Sequence, residues 1–149
     1  AVDSLRSEKG YRHWGHDIGY MDNPVEAGLG FVCDVKKPVP FIGYDAFIAQ
    51  KETGAKRRLI QFKLQNPEPL LYHNEPIFRN DRILGYTTSA SYGHSLECAV
   101  AMGYLEHSEI IDKEFIDSGS YEIEVAGVKY SADASLRPFY DPKGQKISV

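Results

Sequence analysis

The sequence predicts an α+β fold, with a helical and turn-rich N-terminal arm followed after residue 55 by mainly antiparallel β-structure. Three observations predict it. The apolar pattern switches to a period of two beyond Lys56, where Ile60, Phe62 and Leu64 alternate with Gln61 and Lys63. Two short turn signals, Asn80-Asp81 and Ala126-Gly127, each separate a pair of strand-like runs. Ten Tyr and seven Phe favour strands over helices. Several short strands with frequent turns suggest a small barrel or sandwich.

The elements follow in order. Residues 1–9 read as the end of a helix stopped by Gly10. Residues 10–22 are aromatic and turn-rich. Asn23-Pro24-Val25-Glu26 has the marks of a helix start, with Asn as cap and Pro at the first position, and Gly28 or Gly30 ends that turn. Gly30-Phe31-Val32-Cys33-Asp34-Val35 reads as a strand, and Lys36-Lys37-Pro38-Val39-Pro40 as a loop at a boundary between two parts, 1–40 and 41–149. Residues 43–53 predict a helix closed by Gly54. Pro67 and Pro69 interrupt the first strand region. Strands are expected at 76–79 and 82–86, and at 121–125 and 128–132. Residues 98–105 form another, apolar on both faces and therefore central. There is no internal repeat.

Composition narrows the function classes. A formal net charge of -4 argues against a general nucleic-acid binder. No apolar run approaches the roughly 20 residues of a membrane span. Cys33 and Cys98 are too few for a disulfide scaffold, so a reducing compartment is the default. The first residues show neither Met nor a signal-peptide pattern and look like mid-helix, as expected of a fragment.

The densest chemistry lies in Glu8-Lys9-Gly10-Tyr11-Arg12-His13-Trp14-Gly15-His16-Asp17-Ile18. Two glycines, each costing about 1 kcal/mol in a helix interior, argue against one continuous helix. The stretch is either a platform of flat rings, carboxylate and bare backbone for a planar hydrogen-bonding ligand, or a packed corner plugged by Trp14. Glu8 beside a helix end can accept two parallel N–H bonds from an amino-pyrimidine edge, or it is a surface glutamate. His13, His16 and Asp17 make an H-x-x-H-D cluster, but the glycines spoil the helix that paired zinc histidines usually need, and polar packing is the stronger reading. Gly93-His94-Ser95-Leu96-Glu97 departs from a nucleophile elbow at Glu97. Gly28-Leu29-Gly30 lacks the third glycine of a dinucleotide fingerprint, so the chain shows no flavin or nucleotide site of its own. Lys56-Arg57-Arg58 is a solvated strand entrance or a docking point for an acidic partner. Thr87-Thr88-Ser89-Ala90-Ser91-Tyr92 reads as a hydroxyl-rich loop.

Separated motifs then coincide with one family. Asp3-Ser4-Leu5-Arg6-Ser7-Glu8-Lys9-Gly10, Tyr11-Arg12-His13-Trp14-Gly15-His16-Asp17, Pro24-Val25-Glu26-Ala27-Gly28-Leu29, Phe41-Ile42-Gly43, Lys56-Arg57-Arg58-Leu59, the 88–92 segment and Arg137-Pro138-Phe139-Tyr140-Asp141-Pro142 occur in order. Together they resemble the glycine-cleavage T-protein (aminomethyltransferase) family. The Glu8 to Trp14 run and Lys37-Pro38-Val39-Pro40-Phe41 are most similar to the C-terminal region of sarcosine and dimethylglycine dehydrogenases. The resemblance implies that residues 1–40 are the tail of a tetrahydrofolate-binding domain and 41–149 its C-terminal β-barrel. It implies a parent enzyme, bacterial and cytoplasmic or eukaryotic and mitochondrial, whose flavin domain carries FAD and oxidises an N-methylated glycine. The folate region would receive the one-carbon unit, giving 5,10-methylenetetrahydrofolate.

The same resemblance places Glu8 against the pterin, Lys37 near the folate as a basic residue, and Tyr11 and Trp14 around the pocket. Two positions depart from the pattern: Ala90 stands where a glycine is common, and Tyr44-Asp45 replaces Arg-Glu. The family's catalytic Asp near the start of the folate domain has no counterpart here, so the fragment is expected to be catalytically silent alone, with the rest of the parent polypeptide as its partner. The regulatory subunit of pyruvate dehydrogenase phosphatase resembles the same architecture and shares Ser4 to Lys9, which implies a non-catalytic interaction module as the alternative. The Gly10-Tyr11-Arg12-His13-Trp14 continuation favours the dehydrogenase reading.

Overall fold

The computed structural model describes residues 2–146. Helix α1 (Val2–Glu8) opens the chain and ends where Gly10 takes a left-handed φ of 64°. A 3-10 turn (Gly30–Val32) and helix α2 (Tyr44–Thr53) follow, the latter bounded by Gly43 and Gly54 as its sequence anticipates. The strands are β1 (Arg57–Leu64), β2 (Pro76–Arg79), β3 (Arg82–Gly93), β4 (Cys98–Glu106), β5 (Tyr121–Val125) and β6 (Val128–Ser135), with helix α3 (Lys113–Asp117) between β4 and β5.

The strands close into one antiparallel barrel in the order β1-β4-β3-β2-β5-β6, with β6 returning to β1. Of the two shapes left open by the turn spacing, the barrel is the one formed. Both hairpins turn at the expected pairs: Asn80-Asp81 and Ala126-Gly127 all have positive φ, the conformation whose twist matches that of the flanking strands. β4 lies between β1 and β3 and is buried along eight of its nine residues, as its two apolar faces require. Inside, large residues face small ones across β1 and β4, with Ile60 opposite Gly103 and Phe62 opposite Ala101. A Cβ on Gly103 would lie 2.6 Å from Ile77 Cδ1, and one on Gly85 would lie 1.8 Å from the Tyr104 carbonyl oxygen. Those two glycines let the strands approach closely enough for the barrel to close.

Outside the barrel, the N-terminal arm covers β3, β4 and β1. Leu59, Met102 and Tyr104 form a second apolar cluster on this outer face. Gln61, which the period of two assigns to the outer face, is 5% exposed because the arm lies over it.

Three expectations need correction. Residues 30–35 are not a strand: the Val32 and Cys33 amides bond back to Leu29 and Gly30, making a 3-10 turn, and a closed barrel leaves no free edge to pair with. Residues 87–92 are not a loop but lie within β3, broken by a bulge between Thr87 and Ser89. Trp14 is not the plug of a packed corner, since it is 67% exposed. Helix α3, five residues capped by the Asp112 carboxylate on the Phe115 amide, carries too little periodicity to be anticipated.

Candidate functional site

Glu8 is the last residue of α1 and is 2% exposed. Its burial follows from how the helix is anchored. The Ser4 hydroxyl donates to the Tyr92 carbonyl at 2.7 Å, pinning the first turn to β3. At the other end, Gln61 Nε2 donates to the Ser7 and Glu8 carbonyls, which lack partners inside the helix. Gln61 Oε1 accepts the Phe139 amide at 2.7 Å, so one side chain ties helix end, strand and C-terminal segment together.

So held, the Glu8 side chain reaches the turn between β3 and β4. Oε1 accepts the Ser95 amide at 2.7 Å and the Leu96 amide at 3.0 Å. Oε2 has no hydrogen-bond partner among the described residues. Residues 93–97 join strand to strand, which removes the strand–turn–helix setting a nucleophile elbow needs.

Asp17 is the second buried carboxylate, 1% exposed and bonded through both oxygens. Oδ2 accepts from Arg6 Nη1 at 2.7 Å and the His13 amide at 2.8 Å. Oδ1 accepts from the hydroxyls of Thr88 at 2.5 Å and Ser89 at 2.6 Å. The β3 bulge explains how two successive residues serve one oxygen, because a bulge turns neighbouring side chains toward the same side. Asp17 is therefore a structural knot between α1, the aromatic turn and the barrel. His13 and His16 stack at 4.6 Å between ring centres, and no group of three or more metal-ligating side chains is assembled among the described residues.

The remaining predicted residues stand apart. Tyr11 is 53% exposed and borders a groove of about 580 Å³ with Lys9, Arg12, Phe31, Arg137 and Lys143. The Arg12 guanidinium donates to the carbonyls of Gly10, Ala27 and Gly28, and burial lowers its pKa. Trp14 faces solvent at the tip of a turn bridged to Ile18. Lys37 is exposed, and no hydrogen bond or ion pair joins it to Glu8, Tyr11 or Trp14 among the described residues. The structure thus places Glu8 against the β3–β4 turn and Tyr11 beside the groove. It brings Lys37 into bonding contact with none of them. Sequence reasoning missed Gly93 and the 95–96 amides as partners of Glu8. The glycine in Gly93-His94-Ser95 was the available signal, but nothing local says which side chain a turn receives.

The geometry is thus a closed antiparallel barrel carrying a docked helical arm, with a buried glutamate at the join. Residues 57–141 match the glycine cleavage T-protein C-terminal barrel domain, and residues 1–37 match the GCVT N-terminal domain. The chain belongs to the glycine cleavage T-protein family. It is 43% identical over 147 residues to 4-methylaminobutanoate oxidase (formaldehyde-forming) of Paenarthrobacter nicotinovorans, covering 99% of this chain and 17% of that protein. It is 38% identical over 149 residues to mitochondrial sarcosine dehydrogenase of Homo sapiens, covering 99% and 16%. It is 36% identical to the mitochondrial pyruvate dehydrogenase phosphatase regulatory subunit of Mus musculus, covering 100% and 19%. The chain therefore spans less than a fifth of the length of these relatives. Among solved structures, the aminomethyltransferase T of the Bartonella henselae glycine cleavage system superposes with a TM-score of 0.75 at 26% identity, over 94% of this chain and 38% of that one.

Proposed function

We propose that this chain is the C-terminal part of a flavin-dependent oxidase or dehydrogenase of N-methylated amino acids. On this reading, residues 1–40 complete a tetrahydrofolate-binding domain and residues 41–149 are the barrel that braces it. The observation that carries the reading is Glu8: a buried carboxylate with one oxygen immobilised and the other left without a partner. That second oxygen is not among the fully buried side-chain atoms without a partner, so it is open to an incoming donor, and the N–H edge of a reduced pterin is such a donor. Two of the relatives sharing nearly the whole chain are named for oxidation of N-methylated amino acids, which supports the substrate class.

Tetrahydrofolate, when bound, supplies the nitrogen nucleophiles that accept a one-carbon unit. Glu8 would orient the pterin, and the Tyr11 and Trp14 rings would flank it. Lys37 would offer a cation to the folate carboxylates. FAD would reside in the remainder of the parent.

The test is made on the intact polypeptide containing this chain. Sarcosine, dimethylglycine and 4-methylaminobutanoate are supplied in turn, and amine oxidation and free formaldehyde are followed together. Oxidation of at least one substrate is expected, with formaldehyde release suppressed by tetrahydrofolate in the wild type and restored by Glu8→Ala. A polypeptide that oxidises none of them overturns the proposal. That outcome would favour the regulatory-module reading, which draws on the match of this chain to 19% of the phosphatase regulatory subunit.

A further inference from the structure

We propose that the turn between β3 and β4 is a positioning device for Glu8, which fixes the carboxylate so that it meets a ligand through Oε2 alone. The inference rests on the folate reading above and adds to it the barrel's share in the site.

The geometry carries the argument. Two backbone amides, Ser95 and Leu96, converge on the same oxygen at 2.7 and 3.0 Å. Backbone donors cannot swing away as side chains do, so Oε1 is committed to the turn. Gly93 makes room for this arrangement: a Cβ there would sit 3.0 Å from both Glu8 Cγ and Glu8 Oε1. The carboxylate is pressed against bare backbone on one side and held by two N–H bonds on the other. Its rotation about the terminal bond is thereby removed.

This changes the expected recognition. A free glutamate would pair both oxygens with two parallel N–H groups of an amino-pyrimidine edge. Here one oxygen already accepts two bonds, so the pterin must bring its donors to the other. Charge matters as well as position. An amide at residue 8 would keep its carbonyl oxygen on the two turn amides, because only that atom can accept them. It would then present an NH2 donor where Oε2 stood. Glu8→Gln should therefore preserve the turn and reverse the polarity offered to the ligand. Gly93→Ala should keep the carboxylate but displace it. The obstructing atoms belong to the flexible Glu8 side chain, apart from the Cys98 carbonyl at 3.3 Å, so the barrel should still form.

The experiment is a double-mutant cycle on the intact polypeptide, titrated with 5-formyltetrahydrofolate, a stable reduced folate. Glu8→Gln is expected to weaken binding at least tenfold with an unchanged melting temperature. Gly93→Ala is expected to weaken it about threefold to tenfold in the wild type and not at all in the Glu8→Gln background. Equal effects of Gly93→Ala in both backgrounds, or none in either, overturn the positioning role while leaving Glu8 as a ligand contact. Unaffected binding in Glu8→Gln removes the ligand contact itself, and with it the inference. Hydrogen exchange of the peptide spanning residues 93–97 supplies a reading that does not depend on Gly93→Ala folding. Protection of the 95 and 96 amides should persist in Glu8→Gln and collapse in Glu8→Ala, and its persistence in Glu8→Ala overturns the proposal.

Discussion

Asp17 illustrates how a charge can be buried without being a reagent. Four donors surround it, one of them the Arg6 guanidinium, whose side chain is only 14% exposed. Removing one partner of a buried ion pair strands the other, and costs about 3–5 kcal/mol. Asp17→Ala should lower the unfolding free energy by that amount in urea titration, whereas Thr88→Ala, which deletes one of four bonds to the carboxylate, should cost about 1.5–3 kcal/mol. Tyr104 makes the opposite case. The Arg57 guanidinium stacks 3.6 Å from its ring centre, yet its buried hydroxyl has no hydrogen-bond partner among the described residues. Burial, aided by the Asp22 and Glu26 carboxylates and opposed by Arg57, pushes its pKa up to about 12. The folded state holds this proton more tightly than the unfolded chain, whose tyrosines titrate near 10. The contribution to stability is therefore complete below pH 10 and is lost as pH rises from 10 to 12. Tyr104→Phe should leave neutral-pH stability unchanged or raise it by up to about 1 kcal/mol. Chemical denaturation across that pH range should show a smaller alkaline loss in the variant.

At the scale of elements, legibility followed period and turn chemistry. β1, both hairpins and α2 announce themselves because alternation, paired turn residues and flanking glycines are local properties. What failed depended on a partner. Residues 30–35 have strand-like side chains but no open edge to join, and residues 87–92 look like a turn until Asp17 supplies the acceptor for Thr88 and Ser89. Glu8 was legible as a special carboxylate through resemblance, but the turn that grips it is 87 residues away in the chain. Gln61 belongs to the same class of hidden role. Alternation correctly turns it outward, and only the docked arm converts that exposed-looking position into a buried three-way tie. Gln61→Leu keeps the volume but leaves the Glu8 carbonyl and the Phe139 amide without partners, while the Ser7 carbonyl keeps the Gly10 amide at 3.1 Å. Each stranded group costs about 1–3 kcal/mol, in part recovered by water at the loosened join. The arm should detach before the barrel unfolds. Limited proteolysis should cut within residues 9–40 of the variant while a fragment from about residue 55 onward persists, and equal resistance to wild type would show that Gln61 does not hold the arm.

The whole molecule is asymmetric in what it hides. The barrel buries most of its apolar residues, with Ile83, Tyr86 and Val128 about half exposed, whereas the N-terminal arm leaves Leu5, Trp14, Tyr20, Met21 and Phe31 between 64% and 90% exposed. Scattered exposed apolar residues are ordinary, but this many within one short arm form a patch of the kind found at interaction surfaces. Residues 1–37 match the GCVT N-terminal domain, and the chain covers 38% of the B. henselae aminomethyltransferase. On the proposed reading, the preceding part of that domain is what covers it. Trp14 reports this directly because it is the chain's only tryptophan. In the 149-residue chain, its emission should have the long wavelength of a hydrated indole and be quenched freely by iodide. The indole should become protected once the preceding residues are joined. The comparison is cleanest when Trp14 is retained and the other tryptophans of the longer polypeptide are replaced by Phe. A blue-shifted, iodide-resistant Trp14 in that protein would place the arm inside a completed domain. Equal quenching in both would mean that the arm's tip stays in solvent, and Trp14 would then have no part in enclosing the pterin.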